Sequence, residues 1–230
     1  MKKILLVIVL FGIYGCSYLS SHVIYYKDLP SLDAKYGIGT QIFEWVDSTR
    51  YEDFTQTEDD YRRLIIQIWY PAIIADVNAK PAPYLDHPNE QIEAIAEQLE
   101  IPSYLLTNIK NISTNSYFNA PIISDQGAFP MLMFSHGLGG MKNQNSIQIE
   151  ALVQQGYIIV APDHAYDANI TVFNDGTIAD FRSGSEGIHT KDQFWEYRLP
   201  QLQKRTDDIN YIYRKTQSLV EEKNSIWAFV

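Results

Sequence analysis

The clearest chemical potential in this 230-residue chain lies in Phe134-Ser135-His136-Gly137-Leu138-Gly139-Gly140, where three glycines fall within four positions beside a hydroxyl and an imidazole. Glycine has no Cβ, so such a loop lets the backbone approach a ligand closely and aim N–H groups at a developing oxyanion. A plain tight turn is the alternative. A dinucleotide or Walker loop is disfavoured, because the G-x-G-x-x-G spacing is absent and no Gly-Lys-Ser/Thr follows. Asp163 and His164 close a second apolar run and read as hydrogen-bonding partners near the site. Ser185, in Ser183-Gly184-Ser185-Glu186-Gly187, imitates a nucleophile elbow, but the glycine two residues before it is missing and its surroundings are polar. Gly-x-Ser-x-Gly occurs nowhere in the chain.

The elements that must position this loop follow from apolar periodicity. Residues 36–46 and 61–70 are rich in β-branched and aromatic side chains, with Leu64, Ile66, Ile68 and Tyr70 alternating against Ile65, Gln67 and Trp69. They read as two paired strands. The acidic stretch 51–60 reads as an exposed connection, and Pro71, Pro81, Pro83 and Pro88 break the loop that follows. Ile92, Ile95, Ala96 and Leu99 recur at helical spacing within 90–99. Residues 130–135 and 157–161 are continuous apolar runs, as expected of strands at the centre of a parallel sheet. A helix over 146–155, ended by Gly156, joins them into a βαβ unit. A last helix is expected over about 194–220, interrupted near Pro200, with Ile209, Ile212 and Tyr213 as its apolar face. Antiparallel strands followed by strand, helix, strand and helix predict an α/β domain.

In α/β-hydrolases one oxyanion donor comes from the loop after the third strand, often His-Gly followed by further glycine. The run from Pro130 to Gly140 and the later Gly156-Tyr157-Ile158-Ile159-Val160-Ala161-Pro162-Asp163-His164 resemble the platelet-activating factor acetylhydrolase group of that fold, the lipoprotein-associated phospholipases A2. Further pieces match in order: Ile68-Trp69-Tyr70-Pro71, Asp163-His164-Ala165-Tyr166-Asp167-Ala168, Thr171-Val172-Phe173-Asn174-Asp175-Gly176, Tyr197-Arg198-Leu199-Pro200 and Arg205-Thr206-Asp207-Asp208. The resemblance spans about 64–213. It implies a serine esterase that removes short or oxidised acyl chains from phospholipids, using neither metal nor other cofactor. By position, the backbone N–H of Leu138 becomes the first oxyanion donor, Gly137 and Gly139 shape the turn, and Ser135 and His136 brace it. His136 is not expected in the triad, since the triad histidine comes last in the order Ser, Asp, His. The family places its nucleophile elbow on the strand after the last helix, so the triad serine, aspartate and histidine are expected outside residues 1–230. The predicted fold is thus an incomplete α/β-hydrolase, the amino-terminal part of that domain, over 34–230. Chlorophyllase-like or polyester-hydrolase-like esterases share the His-Gly loop, and a noncatalytic surface lipoprotein reusing half the fold is the third reading.

Composition narrows the partners. With 46% hydrophobic residues the chain can build one sizeable core. Its 18 basic against 28 acidic side chains, net −10, disfavour a nucleic-acid partner. The single cysteine excludes an intramolecular disulfide and a multi-cysteine zinc site. Met1-Lys2-Lys3 followed by an apolar run over 4–13 is too short to span a membrane and reads as an export signal. Its end, Ile13-Tyr14-Gly15-Cys16, resembles a bacterial lipobox, although Tyr14 is unusual there. The expectation is a signal peptide over 1–15, a lipidated tether over 16–33 beginning at Cys16, and an exported protein held at the membrane; a buried Cys16 in a plain signal or anchor is the alternative. Loss of 1–15 leaves 16 basic against 28 acidic groups, net −12. Asn111-Ile112-Ser113 and Asn169-Ile170-Thr171 match glycosylation acceptors and, behind a bacterial-type signal, read as chance.

Overall fold

The computed structural model describes residues 28–30, 35–55, 57, 60–75, 78–184 and 187–222. Cys16 and Ser185 fall outside the described residues, as does nearly all of the expected signal and tether. The long hairpin comes first: β1 (Gly37–Tyr51) pairs antiparallel with β2 (Tyr61–Ala72), from Gly37 opposite Ala72 to Tyr51 opposite Tyr61. After a short helix α1 (Pro88–Gln98), β3 (Ser116–Phe118) lies parallel to β1. β4 (Met131–Met133), α2 (Ser146–Gln154) and β5 (Ile158–Asp163) form the βαβ unit, and β5 also pairs antiparallel with β2. The sheet order is β3-β1-β2-β5-β4. A small hairpin of β6 (Ile170–Val172) and β7 (Ile178–Asp180) precedes the long helix α3 (Lys191–Glu221).

Alternation along the central strands feeds two apolar layers. Leu64, Ile66, Ile68, Tyr70, Ile158 and Val160 pack with Ile212 of α3, whereas Trp69, Ile159 and Ala161 pack with Ile149 and Val153 of α2. This is the helix-sheet-helix layering of an α/β fold.

Several expectations need correction. α3 runs through Pro200 without a break. Proline removes one backbone donor from the ladder, and its partner carbonyl, on Glu196, belongs to an exposed turn where water can replace that donor. The buried stripe of α3 is Asp208, Ile212 and Thr216, so the apolar face lies about one position earlier than expected and Tyr213 is 48% exposed. Leu99, placed on the buried face of α1, is its C-cap and is exposed. The connection after β1 is not uniformly exposed either: Glu52 is buried, because Arg62 draws its carboxylate inward. β5 is buried along its whole length, while β4, paired only with β5 among the described strands, leaves Leu132 40% exposed.

Candidate active site

Parallel β4 and β5 end side by side, and the segments leaving their carboxyl ends build the site, the usual side for ligands in open α/β sheets. Ser135 to Gly140 leave β4, and His164 to Asn169 leave β5. The two loops are stitched together by Gly139 N–H donating to Asp167 O at 3.0 Å and Asn169 N–H donating to Gly140 O at 2.8 Å. Gly139 has φ +65°, a conformation that disfavours any side chain. Gly137 differs: its φ is outside that region and a Cβ there would meet nothing within 4 Å. The glycine requirement expected at Gly137 is therefore carried by Gly139.

His136 is buried, and both its ring nitrogens are engaged. Nε2 accepts the backbone N–H of His164 at 3.1 Å, which leaves the ring proton on Nδ1, where it is donated to Gly137 O at 2.6 Å. Burial, with the neighbouring His164, Arg205 and Lys142, pushes its pKa down to about 3, so it is neutral at physiological pH. Arg205 of α3 donates to His136 O at 2.6 Å and pairs with Asp167. The loop is thus held from inside by an imidazole and from outside by a guanidinium. Leu138, at its tip, is 43% exposed, and its N–H meets no acceptor among the described residues. A cleft of about 250 Å³ opens beside it, lined by Leu138, Phe194, Trp195, Arg198, Leu202 and Arg205.

Asp163 and His164 are both buried, and they serve different networks. Asp163 accepts the Lys142 N–H at 2.6 Å and its ammonium at 3.0 Å, and Asp86 pairs with the same ammonium at 2.9 Å. Burial holds Asp163 above the ordinary carboxylate range, while burial of Lys142 is outweighed by the two carboxylates, which keep its ammonium charged. His164 Nδ1–H donates to Asp208 Oδ2 at 2.8 Å, and its Nε2 accepts the Ser135 hydroxyl at 2.9 Å. Asp208 is clamped in turn by Arg62 at 2.7 and 3.1 Å and by Arg50 at 2.8 Å. Burial opposes the charge of Asp208, but His164 and Arg62 hold its carboxyl well below the usual range.

The structure therefore brings Ser135 and His136 into contact with His164, with Gly137 and Leu138 on the same loop. Arg62, Arg205 and Asp208 belong to the same site, though no role was assigned to them from sequence. Their signal was present: Arg205, Asp208 and Ile212 stand at i, i+3 and i+7, so two charged residues share the register of a buried stripe. A charge on such a stripe needs a buried partner.

The model of the platelet-activating factor acetylhydrolase, isoform II, family matches residues 26–221. The chain belongs to that family. A search of curated proteins returns no match. Among solved structures, the chain is similar to a ferulic acid esterase from Streptomyces cinnamoneus, with TM-score 0.58 and 19% identity, over 77% of this chain and 47% of that one. That likeness shows the α/β-hydrolase fold, and the chain spans about half the length of the esterase it matches.

Proposed function

We propose that this acetylhydrolase-family chain supplies the oxyanion side of a serine esterase that removes short or oxidised acyl chains from phospholipids, at a membrane to which lipidated Cys16 anchors it. The observation that carries the reading is the free Leu138 N–H on a loop fixed by His136 and Arg205. A donor held before reaction begins stabilises a tetrahedral oxyanion without having to reorganise. The adjoining cleft supports an amphiphilic ester: Leu138, Phe194, Trp195 and Leu202 offer apolar surface to a short acyl chain, and Arg198 offers a cation to a phosphate. The nucleophile, acid and base of this reading are those the family resemblance implies.

The test is turnover of a short-chain phospholipid by the native gene product. Leu138→Pro removes the donor outright, and Gly139→Val forces a β-branched residue into positive φ. Each should lower kcat by about 10²- to 10³-fold, the usual cost of one lost oxyanion donor, with a smaller change in KM. Near-normal turnover in variants with native circular dichroism would remove Leu138 from the mechanism. The anchor has its own check, since Cys16→Ala should abolish palmitate labelling and detergent partitioning.

A further inference from the structure

We propose that Ser135, His164 and Asp208 form a second reactive-serine site, distinct from the nucleophile that the family resemblance implies, and that Ser135 is acylated by small activated esters. The inference does not rest on the phospholipid reading. It rests on a continuous relay: Ser135 Oγ–H to His164 Nε2 at 2.9 Å, and His164 Nδ1–H to Asp208 Oδ2 at 2.8 Å. Asp208 accepts only, so it fixes the histidine tautomer with its proton on Nδ1 and its lone pair toward the serine. This is the arrangement by which a base activates a serine hydroxyl, recognised by geometry and not by position in the sequence.

Three further features suit the relay to chemistry. Ser135 is exposed while His164 and Asp208 are fully buried, so an ester can reach the hydroxyl and water cannot reach the charge behind it. The acceptor behind His164 is itself fixed by ion pairs. Asp47, Glu52 and Asp208 face Arg50 and Arg62 in one network, three carboxylates to two guanidiniums. That network holds the Asp208 carboxylate in place against the imidazole. Finally, Ser135 stands at the carboxyl end of β4, on the same loop as the free Leu138 N–H.

In the reaction Ser135 Oγ attacks the acyl carbon as its proton passes to His164 Nε2. The carbonyl π electrons move onto oxygen, then return as the C–O bond to the alcohol breaks, and the departing alkoxide takes the proton from Nε2. Water, giving a proton to the same Nε2, attacks the acyl-serine; its collapse returns that proton to Ser135 Oγ and releases the acid. Asp208 acts through His164 as a positioning residue.

The probe is a fluorophosphonate applied to the purified chain, with the modified residue located by peptide mass spectrometry, alongside the burst of p-nitrophenol from p-nitrophenyl acetate. The expected result is an adduct on Ser135 and a burst approaching one equivalent. Ser135→Ala, which alters only an exposed hydroxyl, should lose both. His164→Gln should slow labelling of Ser135 at least 100-fold. Asp208→Asn should slow it at least 10-fold at unchanged circular dichroism, a readout that a purely structural Asp208 would leave alone. Folded wild-type protein with no adduct on Ser135, or with its burst intact after Ser135→Ala, overturns the proposal. Because the adduct is located residue by residue, reaction at any other serine counts against this site without bearing on the Leu138 test.

Discussion

Asp163 and His164 are neighbours in sequence, yet they anchor buried ionic networks of opposite design. Successive side chains of extended chain point to opposite faces, so Asp163, the last residue of β5, and His164, just beyond it, can serve different layers. On one side Lys142 sits between Asp86 and Asp163, and every member is buried or nearly so. That network is closed: it fixes the segment after the oxyanion loop onto β5 and the start of α1. On the other side, Asp208 gathers Arg62, Arg50 and His164, and the chain of bonds runs out to Ser135, an exposed residue. A network without an exposed end can only hold structure. One that reaches the surface can also move a proton.

The largest effect that sharpens this contrast is expected from the closed network. Lys142→Met leaves two buried carboxylates facing each other with no cation, and removal of one partner from a buried ion pair costs about 3–5 kcal/mol. Without the ammonium both carboxyls should titrate above their ordinary 3.8 in the folded variant. A folded pKa raised above the unfolded value gives stability that is present at low pH and lost as pH rises through the folded value. The deficit of Lys142→Met relative to wild type should therefore be greatest at neutral pH and should already narrow above pH 3.8. Urea midpoints across pH 3–7 measure it, and a pH-independent deficit would show that Lys142 acts through packing alone.

Asp208→Asn probes the open network with a smaller expected loss of about 2–4 kcal/mol at neutral pH, since Arg62 keeps Glu52 and Arg50 keeps Asp47. The sign of its pH dependence is fixed by the depressed carboxyl of Asp208. Such a group contributes stability above the unfolded value of 3.8 that is lost as pH falls through the lower folded value. The gap between wild type and variant should stay constant from pH 7 to about 4 and close only below. The two networks thus separate by pH window, and coincident windows would erase the distinction drawn between them.

What the sequence disclosed and what it withheld divide along the same line. The hairpin, the βαβ unit and the loop at Ser135 to Gly140 were legible, because apolar periodicity and clustered glycines are local signals. His164 was recognised as a hydrogen-bonding partner. Its acceptor Asp208 lies 44 residues away, on a helix whose sequence is mostly polar, and no local period reports that pairing. The one-position shift of the α3 face has the same cause: Asp208 occupies a buried position that a hydrophobicity pattern assigns to an apolar residue, here Ile209. Pro200 misled because a proline is read as a break, whereas a solvent-facing carbonyl tolerates the lost donor. The apolar run of β4 resembles that of β5, and only the pairing tells a strand with one neighbour among the described strands from a strand with two.

The smallest expected effect tests whether the open end of the relay contributes to structure at all. Ser135→Ala removes one hydroxyl from an exposed position and leaves His164 Nε2 without its protein partner. A buried acceptor left wholly unsatisfied costs about 1–3 kcal/mol, whereas one that gains a water costs much less. Ser135 is an exposed residue, so water is expected to take the place of its oxygen and bond to Nε2. The expected loss is below about 1 kcal/mol, with the Asp208 side of the network intact and the pH profile of the urea midpoint superimposable on that of wild type. A loss as large as that of Asp208→Asn would mean that the hydroxyl is a structural clasp. In that event Ser135 would belong with Lys142 among the groups that hold the loops. A small loss would instead mean that the fold does not need the hydroxyl to stand where it does, 2.9 Å from the imidazole.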